Sequence, residues 1–299
     1  MQETERCVRD LVWVVNSPSL MDLTSQESVP TRRLKVNDID GEHLRICLAS
    51  RREQRVGRYF EHLIVYWLRY IRQCEVVDHS LQLRDAERTV GEIDLLFRDE
   101  QGRLNHWEVA CKFYLQVDAS NAVLTDYIGP NANDTLSKKA TRLLNHQLPL
   151  GVRYFPEIEV SEAFVKGRIF YHWQTGSKES LPAELATDHL EGKWLRAREV
   201  PELLRNSRLR YRILRKPYWL AEEYADPSDD DLLTTDETQQ LLQSHFNRRQ
   251  TPILISGFCD STSTVSESQR WFVVPNHWPL QAEPENLSES LSYKSAVGR

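Results

Sequence analysis

The sequence predicts an α/β fold, a mixed β-sheet flanked by helices, and three observations carry that prediction. An apolar segment with helical spacing spans residues 51–73. Three β-rich runs follow at 75–83, 90–97 and 104–114, the last two joined by the polar link Arg98-Asp99-Glu100-Gln101-Gly102-Arg103. A second helical segment ending at Leu148 then leads into another strand at 166–173. Helix, strand, strand, strand, helix, strand is an order that lets each helix bury its apolar stripe against one sheet.

Taken in order, residues 4–15 place Val8, Leu11, Val12 and Val15 at helical spacing, with Asn16-Ser17-Pro18 as the stop. Residues 24–50 are mixed and predict no clear element. In the 51–73 helix, Val56, Phe60, Leu63, Ile64, Trp67, Leu68 and Ile71 cover more than one face, which predicts a buried helix. Glu61 lies on its apolar side between Gly57 and Val65, given ~100° per residue. A buried carboxylate without a partner is costly. Two partners are open to Glu61: an ion pair with Arg58, or the charged face of the hairpin that follows.

That hairpin carries the chemistry. Side chains alternate along a strand, so Glu92, Asp94 and Leu96 share one face and Ile93, Leu95 and Phe97 the other. On the next strand His106, Glu108, Ala110 and Lys112 oppose Trp107, Val109, Cys111 and Phe113. A polar face on an antiparallel pair commonly looks at water, but the flanking Trp107, Phe113 and Tyr114 favour the wall of a cleft. Magnesium takes oxygen ligands and needs only one or two carboxylates, so Asp94 and Glu108 are expected to bind Mg²⁺ or Mn²⁺. Such an ion would neutralise charge in phosphodiester hydrolysis. Lys112 is expected to orient or deprotonate the attacking water.

Downstream, Asn133 or Asp134 is the expected N-cap of a helix with Leu136, Ala140, Leu143 and Leu144 as its stripe. Lys138 and Lys139 near its start, and Gln147 at its end, are candidate phosphate-binding residues, the alternative being a solvated face. Residues 193–216 are basic and 222–237 acidic. The two either pair with each other or leave Arg208, Arg210 and Arg212 to follow a phosphate backbone. Further strands are expected at 252–258 and 271–275. The resulting division is an N-terminal helical segment (1–50) packed on the core, an α/β core (51–175), a C-terminal extension of the same domain (176–280) and a flexible polar tail (281–299).

Composition excludes several classes. The net charge of -6 argues against indiscriminate nucleic-acid binding, although a local basic groove is compatible with it. Five scattered cysteines without C-x-x-C spacing indicate neither a disulfide framework nor a zinc site and fit a reducing, cytoplasmic setting. The apolar run at 11–15 is too short for a signal-peptide core, and nothing approaches a membrane span, so no membrane partner is expected. The patterns G-x-x-x-x-G-K-[ST], G-x-S-x-G and H-E-x-x-H do not occur.

The order Glu61 on a helix, Asp94 on a strand, Glu108 and Lys112 on the next strand, then a helix, resembles the restriction-endonuclease-like superfamily of the Pro-Asp…Asp/Glu-x-Lys motif. The segments GRYFEHLIVYWL, GEIDLLF, HWEVACKFYL, IGPNANDTLSKKATRLLNHQLPL, YRILRKPYWL and RWFVVPNHWP resemble those of a bacterial domain-of-unknown-function family, number 1853. The resemblance implies a restriction-endonuclease-like core and a divalent-metal site in which Asp94 and Glu108 are the metal acids, Lys112 the motif lysine and Glu61 the acid from the first helix. It sets two expectations: a metal-dependent nuclease acting on DNA or RNA, or a non-catalytic relative that binds nucleic acid or a protein partner through residues 196–216. One departure matters. The superfamily lysine follows its acid by two residues, whereas Ala110 holds that place and Lys112 follows Glu108 by four. Four residues of strand span ~13 Å against ~7 Å for two, so Lys112 reaches the same centre only if the strand bulges near Ala110.

Overall fold

In the computed structural model, which describes residues 2–23, 33–49, 55–85, 88–120, 123–205, 207–259 and 261–279, three helices come first. Helix α1 (Gln2–Asn16) buries Leu11 and Val14, and the Asn16 side chain bonds both the carbonyl and the N–H of Leu34, at 2.8 and 2.9 Å. A helix not foreseen in the sequence, α2 (Gly41–Ala49), packs beside it. Helix α3 (Val56–Tyr66) continues into a π-helical turn, Trp67–Ile71, with Phe60, Leu63, Ile64 and Leu68 fully buried as the apolar coverage predicted. The first residues of the predicted 51–73 helix, 51–54, and the 281–299 tail lie outside the described residues.

Three strands follow as expected, β1 (Glu75–Asp85), β2 (Arg88–Arg98) and β3 (Leu104–Gln116), and the two-residue β4 (Tyr127–Ile128), not foreseen in the sequence, comes after them. Helix α4 (Leu136–Arg142), a π-helical turn (Leu143–Gln147) and α5 (Leu148–Tyr154) make one rod that crosses to β5 (Val160–His172). After it come β6 (Leu190–Arg196), α6 (Val200–Leu204), β7 (Leu209–Ile213), β8 (Tyr224–Ala225), α7 (Thr235–Arg248), β9 (Ile253–Cys259), β10 (Val265–Ser266) and β11 (Gln269–Val274).

One sheet of nine strands has the order β1-β2-β3-β5-β6-β11-β9-β7, with β4 on β3 off this path. Strands β1 to β3 are antiparallel, β3, β5, β6 and β11 are parallel, and β9 and β7 are again antiparallel. The sheet is therefore mixed, and β6, β11, β9 and β7 extend it beyond β5. A parallel β3–β5 pair needs a crossover, which the α4–α5 rod supplies.

Alternation along β3 sorts the layers. Trp107, Val109 and Phe113 join the cluster containing α1 and α3, where Trp107 and Phe164 stack 5.0 Å apart at 6°. Tyr114 joins Val165, Ile169, Leu136, Ala140 and Leu143 on the α4 side.

Four local outcomes differ from expectation. The N-cap of α4 is Thr135, whose Oγ1 accepts the Lys138 N–H at 3.2 Å, and not Asn133 or Asp134. The rod does not stop at Leu148 but continues from the π-helical turn Leu143–Gln147 through Pro149 to Tyr154. Strand β3 does not bulge near Ala110, since its register against β5 keeps one offset from Asn105↔Val160 to Leu115↔Phe170. The irregularities lie in β1, whose register against β2 shifts between Val76 and Asp78 and between Leu83 and Arg84, while Ser80 takes a left-handed φ of 56° without shifting it. Ile93 packs with Leu150 on the α5 side while Leu95 and Phe97 pack with Trp107, so the expected common face of Ile93, Leu95 and Phe97 is corrected: alternation along β2 fails between Ile93 and Leu95.

Candidate functional site

The β2–β3 ladder runs from Arg98↔Leu104 to Leu95↔Trp107. One step further a side chain takes over: Asp94 Oδ2 accepts the Val109 N–H at 3.0 Å. This sets the Asp94 carboxyl beside Glu108, close enough for each to act on the other's ionisation. Glu108 is completely buried. Its Oε1 meets His106 Nε2 at 3.0 Å, and its Oε2 accepts from the Gln147 amide.

Two carboxyls in one dry place cannot both ionise readily. Burial, then the neighbouring Glu108, pushes Asp94 up to about 7. Burial also pushes Glu108 up to about 7, against the pull of the Asp94 hydrogen bond, Lys139 and Arg142. Both carboxyls are thus held well above the ordinary carboxylate range, and the two titrate as one coupled unit that shares its protons. His106 is driven down to about 4 by burial, so its ring is neutral. With Nε2–H turned to Glu108, Nδ1 accepts from the Ser161 hydroxyl at 3.1 Å. His106 is thus a hydrogen-bonding partner of the site.

Lys139 comes from α4. Its Nζ donates to Gln147 Oε1 at 3.2 Å, so Gln147 links the lysine to Glu108. Burial lowers the lysine's pKa, opposed by Asp94 and Glu108. The π-helical turn that ends at Gln147 keeps this amide on the buried side of the rod.

Lys112 stands apart. Its Nζ pairs with Asp134 Oδ2 at 2.6 Å, and the Tyr114 hydroxyl donates to the same oxygen at 3.1 Å. With β3 unbulged, Lys112 is ~13 Å along the strand from Glu108. Its expected place beside the acids is corrected accordingly: Lys112 anchors the loop before α4, and Lys139 is the lysine next to the acids.

Glu61 takes the ion-pair option. Arg58 Nη1 donates to its Oε2 at 2.6 Å and to Ser80 Oγ at 2.7 Å. Burial raises the Glu61 pKa and Arg58 pulls it down. Glu61, Arg58, His62, His79, Ser80 and Asp94 line a cleft of about 230 Å³. Helix α3 packs on the Trp107/Val109 side of β3 while Glu108 faces α4 and α5, so Glu61 and Glu108 approach Asp94 from opposite faces of the sheet. The expected three-acid centre of Glu61, Asp94 and Glu108 does not form. Among the described residues no group of three or more His, Cys, Asp and Glu side chains is arranged to hold a metal ion. The Asp94–Glu108 pair nevertheless fits a hard divalent cation, because both donors are oxygens and a cation would relieve the repulsion that now retains a proton.

The remaining candidates divide. Lys138 is exposed on α4. Arg212 is buried and committed, with Nη2 on Asp229 at 2.5 Å and Nε on Asp231 at 2.8 Å, so it is withdrawn as a phosphate ligand. Arg210 donates to the Leu232 carbonyl at 2.8 Å, and Arg208 is exposed. The basic 193–216 and acidic 222–237 segments therefore pair at Arg212. Sequence reasoning missed Ser161 and Ser80, because each enters only through a neighbouring strand's register.

No helix among the described residues is long and apolar enough to cross a membrane. No curated protein matches the chain. The sequence profile of one family matches residues 9–274, nearly the whole chain, and the protein belongs to that family, the domain of unknown function DUF1853.

Proposed function

We propose that the protein is a divalent-metal-dependent nuclease or related phosphodiesterase acting on DNA or RNA. The observation that carries this reading is the Asp94–Glu108 pair, two acids set side by side from adjacent strands, Asp94 on the Val109 N–H and Glu108 held by His106 and by Gln147, through which Lys139 reaches it. Acids shifted by burial and by a specific charged neighbour beside a cleft are the kind of group that active sites use. The order α3, β1, β2, β3, α4–α5, β5, antiparallel up to β3 and parallel across the crossover, agrees with the restriction-endonuclease-like core that the motif resemblance implies.

Asp94 and Glu108 would hold Mg²⁺ or Mn²⁺, which when bound supplies charge neutralisation at the phosphoryl group and a more acidic water. His106 and Gln147 fix the Glu108 carboxylate from two sides. Lys139, whose amine is easier to deprotonate than a solvated one, accepts or donates a proton at Nζ, in the role the resemblance gave to Lys112. Incubating purified protein with single- and double-stranded DNA and with RNA, in Mg²⁺ or Mn²⁺, tests the proposal. Cleavage that disappears in Asp94→Asn and in chelator supports it, and intact substrates throughout refute it.

One observation favours a second reading, a nuclease-fold protein that binds nucleic acid without cutting it. Both Glu108 oxygens are already hydrogen-bonded and fully buried. Calorimetric titration of Mn²⁺ into wild type and Asp94→Asn separates the two: the nuclease reading requires binding that the variant loses.

A further inference from the structure

We infer that the exposed face of the α4–α5 rod is the surface along which a single strand of nucleic acid lays its phosphate backbone, an inference that extends the proposed function to the way its substrate is held. The 22 residues from Thr135 to Pro156 contain no acid, in a chain whose net charge is -6. Within them Lys138, Arg142, His146 and Arg153 are exposed, while Leu136, Ala140, Leu143, Gln147 and Leu150 turn inward. The exposed four follow at intervals of four, four and seven, which keeps them in one stripe along a helix. At ~1.5 Å per residue the stripe is roughly 22 Å long.

Two further features give the stripe a direction and a preference. Arg142 lies one helical turn from Lys139, which reaches Glu108 through Gln147, so the stripe runs along the outer face of the rod whose inner face covers the acid pair. Leu144 and Val152, exposed by 40% and 49%, stand on the same rod and offer apolar surface to unpaired bases. A duplex would hide its bases from them. The rival basic segment, with Arg205, Arg208 and Arg215 exposed, lies around β7 at the far edge of the sheet, five strands from β3. At ~4.8 Å per strand that is about 24 Å from the acids.

The test is fluorescence anisotropy with a labelled oligo-dT strand in chelator, across a salt series. It compares wild type, the triple variant Lys138→Gln/Arg142→Gln/Arg153→Gln and the comparator Arg205→Gln/Arg208→Gln/Arg215→Gln. Losing three phosphate contacts from a single strand should lower the slope of log affinity against log salt by about 2, with at least a roughly tenfold loss of affinity at low salt. The comparator should keep both. The substituted side chains are exposed, so thermal unfolding should be unchanged, and Arg142→Gln alone supplies a milder version showing about one third of the slope change. Unchanged binding in the rod variants, an equal loss in the comparator, or no binding by wild type overturns the inference, and tighter binding of the duplex than of the single strand overturns its preference for unpaired bases. Binding that depends on the rod but comes with no cleavage in Mg²⁺ keeps the surface and removes the nuclease reading.

Discussion

Replacing Asp94 with asparagine should make the metal-free protein more stable at alkaline pH while abolishing cleavage. Asp94 is moved from its ordinary 3.8 up to about 7 by burial and by Glu108. The folded protein therefore holds a proton that the unfolded chain releases above pH ~4. Stability from this source is full below pH ~4, declines as pH rises toward 7, and is lost above it. Three pH units at ~1.4 kcal/mol each set a ceiling of roughly 4 kcal/mol. Because Glu108 is raised as well and titrates together with Asp94, only about half of that ceiling, about 2 kcal/mol, is expected to separate the two proteins. Asparagine occupies the same shape, keeps a carbonyl for the Val109 N–H and offers Glu108 an amide hydrogen that never titrates.

The assay is denaturant unfolding followed by circular dichroism at pH 5 and pH 8 in chelator. Wild type should lose stability between the two, and Asp94→Asn should lose less. Asp10, pushed up to about 6 chiefly by burial, adds a fall of the same sign to both proteins and cancels in the comparison. Mg²⁺ at pH 8 should then raise the midpoint of wild type but not of the variant, by mass action on the folded state. Equal pH dependence in the two proteins would refute the shared-proton account of the site.

Lys139→Ala should reduce cleavage by at least about 100-fold, the scale of a lost general acid or base, whereas Lys112→Ala should cost only a few-fold because Lys112 holds the loop at Asp134. Single-turnover rates under saturating metal distinguish the two lysines, and a larger loss at Lys112 would reverse their roles. Gly151→Ala should destabilise by about 1–3 kcal/mol, since an added Cβ would stand 2.2 Å from His106 Nδ1 and overpack the helix against the ring; thermal unfolding reads it. Trp107→Ala should cost about 3–5 kcal/mol by removing the ring stacked on Phe164, with denaturant midpoints as the measure.

The sequence by itself determined the helix–sheet–helix layering and which residues of β3 face the α4–α5 side. Both follow from periodicities set by the backbone: two residues per repeat put His106, Glu108 and Lys112 on one face of β3, and 3.6 per turn turned α3 inward. Glu61 was marked for a partner by burial, and Arg58, three residues away on the same helix, was within reach of local reasoning. Which lysine joins the acids was decided only by tertiary structure. Lys139 and Gln147 arrive through a crossover whose path depends on the β3–β5 pairing, and a charge settles on whichever opposite partner that path brings within hydrogen-bonding distance. The same holds for Arg212, which pairs with Asp229 and Asp231 across a turn of the chain and leaves the basic segment without its central arginine. Periodicity assigns a side chain to a face, but the distance along that face to a partner on another element is fixed only when the elements pack.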